Sequence, residues 1–131
     1  MDDKQGDKGI IVGYGKIFLN KFNNLPTKDQ DKILDFAEHI ENNGFSFLPG
    51  RNKPSHHVST DDSNFLEKVK HAQKYNLHHY HIGIPSYDEA NEYGDWTSEW
   101  VIHYQHLGNE IHIVELDYHP PFTLPPKKYL K

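Results

Sequence analysis

The sequence predicts an α+β fold, with an N-terminal strand and a helical hairpin packed on a twisted, mainly antiparallel sheet of about four strands. Three observations carry that expectation. A glycine-flanked, β-branched run, "GIIVGYG", spans residues 9–15. Residues 16–44 then repeat apolar side chains at helical spacing. From Leu77 onward the pattern changes to alternation, and a Gly-Asn pair separates two apolar-polar runs. The 131 residues contain no cysteine and no apolar run near the ~18 residues that a membrane span needs. One domain over 1–131 in the cytoplasm, without a membrane partner, is the economical expectation.

Each element has a local reason. In "KIFLNKFNNL", Ile17, Phe18, Lys21 and Phe22 recur at helical spacing, and Pro26 marks the stop. Thr27 and Gln30 have capping-box spacing and open a longer helix with an apolar face of Ile33, Phe36, Ala37 and Ile40. Gly44 ends it. Residues 45–60 hold two prolines and no period, which predicts an exposed loop. A third helix starts from Asp62 or Ser63 and buries Phe65, Val69 and Ala72. Residues 77–84, "LHHYHIGI", alternate as a strand, with His78, Tyr80, Ile82 and Ile84 on one face and Leu77, His79, His81 and Gly83 on the other. After a polar, acidic loop over 86–98, "EWVIHYQHL" and "EIHIVELDY" form a hairpin turning at Gly108 and Asn109. That register pairs Tyr104 with Ile113, Val101 with Leu116 and His103 with Val114. Residues 1–8 are expected to be disordered, and prolines make 123–131 an irregular tail.

Charge narrows the function classes. The formal net charge is −5, and 11 histidines with ordinary pKa near 6.5 bring it closer to neutral at pH 7. From Pro85 to Asp117 there are eight acids and no Lys or Arg, and Arg51 is the only arginine in the chain. A polyanion could be held only by local patches such as "GRNKPS".

The histidines are the chemically distinctive feature. His79 and His81 share one strand face at ~7 Å, close enough to hold a metal ion with His119 or His103 as a third ligand. Most of the others, including His39, His56, His57 and His71, read as solvated surface groups, and His78 as a half-buried one. A constellation of His79, His81, His119 and Phe122, with Arg51 and Lys53 at its rim, forms if the last strand lies beside the first of the three. Such a set suits metal-free RNA cleavage. One imidazole takes the ribose 2′-OH proton and another protonates the departing 5′-oxygen, while a cation stabilises the phosphorane and a ring stacks on a base.

The order β-α-α-β-β-β, with "YHIGIP", "EWVIHY" and "IVELDYHPPF" in sequence, resembles the RelE/ParE superfamily of type II toxins. The likeness is closest to the YafO-like and YafQ-like ribosome-dependent mRNA interferases, over roughly residues 10–124. It implies a RelE-like fold and a translation-inhibiting endoribonuclease that uses no metal and no small-molecule cofactor. The implied partners are a cognate antitoxin protein, the ribosome and mRNA. His81 and His119 then match the acid-base histidines, with His79 as an added one. Glu99 and Trp100 match an acidic-Trp pair near the site, and Phe122 matches a C-terminal aromatic. Arg51 and Lys53 fall in the substrate-side loop. Two other readings stay open: a RelE-like fold serving as a protein-binding module, motivated by the acidic stretch 85–117, and a metal-dependent enzyme on His79, His81 and His119.

Overall fold

The computed structural model describes residues 9–119 and 123–131. The expected disorder of residues 1–8 and the role given to Phe122 therefore lie outside the described residues. The elements are β1 (Ile11–Tyr14), α1 (Lys16–Phe22), α2 (Thr27–Asn43), β2 (Asn52–Pro54), α3 (Phe65–Lys74), β3 (Leu77–Ile84), β4 (Trp100–Leu107) and β5 (Glu110–Tyr118). A single 3-10 turn, Lys127–Tyr129, interrupts the otherwise irregular tail.

The fold is α+β, with five strands in the order β1-β5-β4-β3-β2. β1 runs parallel to β5, and the other three pairings are antiparallel. A parallel pair needs a long crossover, which begins here with α1 and α2. The added strand is β2, within the segment expected to be an exposed loop. Its three residues are too few to show a period, and Pro54, which has no N–H to donate, fits only because β2 lies at the sheet edge.

α1 and α2 cover one face of the sheet. Ile33, Phe36 and Ile40 of α2 and Phe18 of α1 join Tyr80, Ile82, Ile102, Tyr104, Ile111 and Ile113 in one core cluster. The Phe36 ring stacks on Tyr80 at 4.7 Å and 12°. Gly44, at φ 63°, ends α2 and donates its N–H to Ile40, a left-handed position that glycine adopts without strain. The capping box does not form. Pro26 occupies the N-cap, Thr27 is already helical, and the Gln30 amide instead donates to the Phe22 carbonyl at 2.8 Å. Gln30 thereby ties α2 to the end of α1.

The β4–β5 hairpin turns at Gly108 and Asn109 and pairs Tyr104 with Ile113, as the sequence predicts. Beyond that pair the expected register fails. His103 faces Glu115 and Val101 faces Asp117, because Val114 is an extra residue opposite a shift between His103 and Tyr104. This is a β-bulge, and its effect is to reset which side chains share a face. Glu115 and Asp117 therefore align with His103 and Val101, on the face turned away from α1 and α2.

α3 does not join the helical hairpin. Its Lys68 lines a cavity on the opposite side of the sheet, together with Leu124 of the tail. Ala72 is its one fully buried residue among those described, while Phe65 and Val69 are half-buried. Asn64 takes the N-cap position, and the Asp62 carboxylate accepts from the Asn64 N–H at 2.8 Å and from Lys68 Nζ at 2.6 Å.

Candidate active site

The sheet face away from α1 and α2 is built from polar residues. β3 presents His79 and His81, β4 presents His103 and Gln105, and β5 presents Glu115 and Asp117. His119 follows the end of β5 and donates its main-chain N–H to the Glu99 carbonyl at 2.6 Å. The expected route to convergence placed β5 beside β3, but β4 lies between them. Convergence comes instead from this return of the chain at His119, across the end of β4 where Val101 stands opposite His81.

The imidazole rings are close neighbours. His81 and His119 lie 5.6 Å apart between centroids, His79 and His81 6.2 Å, and His79 and His119 6.4 Å. His103 sits 6.2 Å behind His79. His79, His81 and His119 open onto one cavity of about 350 Å³, shared with Arg51, Lys53 and Lys68. The structure thus brings together five of the residues singled out from sequence: His79, His81, His119, Arg51 and Lys53.

Hydrogen bonds fix the orientation of the rings. His79 Nδ1 lies 3.0 Å from Ser55 Oγ, a buried hydroxyl at the end of β2. His81 Nδ1 lies 3.0 Å from both the N–H and the carbonyl oxygen of Ser98. One tautomer accepts from that N–H and keeps a proton on Nε2, while the other donates to the carbonyl and leaves Nε2 as a base. The same main-chain unit therefore supports His81 in either proton-transfer role. Arg51 is held by a two-point contact to Asp95, at 2.6 and 3.2 Å, and its own carbonyl accepts from the His81 N–H at 3.0 Å. The hydrogen bond raises the Arg51 pKa and lowers that of Asp95.

Burial dominates the electrostatics. It pulls His79 down to about 3, with the neighbouring His103, His81 and His119 adding to the shift. Burial likewise lowers His81, partly offset by its bond to Ser98, and lowers His119, partly offset by Asp117. His79 binds fewer protons folded than unfolded from about 3 to the unfolded value of 6.5, and His81 and His119 do the same below 6.5. The stability these histidines contribute is therefore full above pH 6.5 and falls as the pH drops, opposed in part by Glu115, whose raised carboxyl favours the folded state as the pH falls below about 7. Urea midpoints are expected to decrease from pH 7.5 to pH 4.5, and His79→Asn is expected to flatten that decrease. An unchanged slope in the variant would locate the acid sensitivity elsewhere.

The remaining candidates take other positions. The Glu99 side chain is exposed, and its contribution is the carbonyl that receives His119. Trp100 packs with the helix-side core, its ring edge-on to Tyr118 at 5.4 Å, so it lies away from the imidazoles. Ser55, Ser98 and Lys68 are site residues that sequence reasoning missed. A lone serine or lysine has no spacing signal, and all three arrive by tertiary contact.

A second cluster lies on the same face. Among the described residues, His103, Glu115 and Asp117 form the group whose metal-ligating atoms all lie within 4.8 Å of one another. Burial and the Asp117 charge push the Glu115 carboxyl up to about 7, against the opposing pull of Lys21. Among the described residues, no helix is long and apolar enough to cross a membrane.

Compared with known protein families, with curated proteins and with solved structures, the chain matches none.

Proposed function

We propose that this protein is a metal-independent endoribonuclease, acting on mRNA at the ribosome as the toxin of a toxin–antitoxin pair. The observation that supports the chemistry is the shared cavity: three neighbouring imidazoles, His79, His81 and His119, with Arg51, Lys53 and Lys68 at the same opening. The toxin context rests on the resemblance to YafO-like and YafQ-like interferases.

In this reading His81, as the Nδ1–H tautomer donating to Ser98, takes the ribose 2′-OH proton on Nε2. The 2′-oxygen attacks phosphorus and the P–O5′ bond breaks. His119, lowered by burial in the free protein and charged when the substrate phosphate lies beside it, supplies the proton to the departing 5′-oxygen, leaving a 2′,3′-cyclic phosphate and a 5′-OH. His79, the most strongly shifted of the three, stays neutral and holds the ring arrangement through Ser55. Lys53 is the exposed cation on the rim and places positive charge where the phosphorane oxygens gather charge, while Lys68 at the same opening is paired with Asp62. The ribosome would align the message, which suits a chain with acidic overall charge. A cognate antitoxin would cover the basic rim.

Induced expression with growth and mapped mRNA 5′-ends followed together tests the reading. Growth arrest accompanied by new 5′-OH ends is expected. Arrest without new ends would discard the nuclease and favour the protein-binding module that the acidic segment 85–117 suggests.

A further inference from the structure

We propose that His103, Glu115 and Asp117 form a binding site for one divalent transition-metal ion, with Zn²⁺ the ion best matched to the set. The three come from adjacent antiparallel strands. His103 faces Glu115 directly across β4 and β5, and Asp117 lies two residues further along β5 on the same face. The Val114 bulge creates this grouping, since without it His103 would stand opposite Val114. The His103 side chain is fully enclosed at 1% exposure, and both carboxylates are half-buried.

The dimensions suit an ion. Ligand atoms around tetrahedral Zn²⁺, bound at 2.0–2.2 Å, lie about 3.4 Å apart. The three ligand atoms already lie within 4.8 Å of one another, at most about 1.4 Å beyond that spacing. The donor set is one imidazole nitrogen and two carboxylate oxygens. Nitrogen ligation favours Zn²⁺ over Mg²⁺, which prefers oxygen alone, and three protein ligands leave a position for water.

Charge points the same way. Two carboxylates stand side by side on a half-buried sheet face, and no Lys or Arg occurs anywhere from Pro85 to Asp117. The charge of Lys21 offsets burial and Asp117 at Glu115 only in part. Burying like charges together is costly unless one carboxyl is protonated or an opposite charge offsets them, and a divalent ion would do so by displacing the proton. None of the three residues lines the imidazole cavity, but His103 stands 6.2 Å from His79, so a bound ion would lie directly behind the proposed cleavage centre. The inference does not depend on the nuclease reading.

Isothermal titration of Zn²⁺ into the full chain, purified without a histidine tag and stripped with chelator, tests it. One equivalent is expected to bind the wild type. The near-isosteric variants Glu115→Gln and Asp117→Asn, checked for native circular dichroism, are each expected to weaken binding by about 100-fold. His81→Ala/His119→Ala is expected to keep wild-type affinity. Absence of stoichiometric binding by the wild type would overturn the proposal. So would full affinity in the carboxylate variants, or loss of binding in the His81→Ala/His119→Ala protein. RNA cleavage is not the readout, so failure here and failure of the nuclease reading are distinguishable.

Discussion

Replacing His81 or His119 by alanine is expected to slow message cleavage by about 10²–10⁴-fold for each, the usual weight of a positioned general acid or base. The double variant should fall little below the worse single one, because proton removal and proton delivery belong to one displacement and their losses do not add. Affinity for programmed ribosomes is expected to change far less, since the rim charges of Arg51, Lys53 and Lys68 remain. His79→Ala should cost less than either, as a ring that remains neutral contributes orientation rather than a proton. Initial rates of site-specific cleavage, measured alongside ribosome binding, separate these outcomes. A large binding defect with near-normal turnover would make the histidines contact residues and not catalytic ones.

Gly50→Ala is expected to be the most damaging single methyl addition in the fold. An added Cβ would stand 2.0 Å from the His81 carbonyl oxygen, far inside contact distance, with the Tyr87 hydroxyl at 2.9 Å on another side. Backbone is the obstacle, so no flexible side chain can swing away. The segment carrying Arg51 must separate from β3, breaking the bond from the His81 N–H to the Arg51 carbonyl. A loss of about 3 kcal/mol is expected, at the upper end for overpacking, with cleavage activity lost as well because Arg51 and His81 come apart. Gly108→Ala is the control. It has nothing within 4 Å but sits at φ +63°, so it should cost only about 1–2 kcal/mol from the left-handed backbone. Urea unfolding midpoints of the two variants give the comparison, and equal losses would show that the clash at Gly50 is relieved by movement.

Much of the scaffold was legible because its signals are local. The apolar stripe Ile33, Phe36, Ala37 and Ile40 is buried as its spacing predicts, and β3 spans the same eight residues that alternate in sequence. Gly108 and Asn109 form the hairpin turn, where glycine supplies the positive φ. What was not legible depends on contacts distant along the chain. The Val114 bulge adds one residue without any marker in composition, yet it decides that Glu115 and not Val114 faces His103. β2 is too short to show a period and exists because β3 offers it an edge. At the site, His79 and His81 were readable as a pair from strand alternation alone. Their meeting with His119 was anticipated, but through a strand order that the sheet does not have. The resemblance sets Trp100 near the site, whereas its position one step from Val101 turns it to the opposite face. Ser55 and Ser98, which hold the imidazoles, carry no sequence signal.

Cleavage by His81 and His119 is read most directly from the chemistry of the cut ends. Purified protein, programmed ribosomes and end-labelled message, kept in the Mg²⁺ that holds the ribosome together, should yield 2′,3′-cyclic phosphate and 5′-OH termini. Cleavage that leaves 5′-phosphate and 3′-hydroxyl ends, the products of attack by a metal-activated water, would contradict acid-base catalysis by His81 and His119.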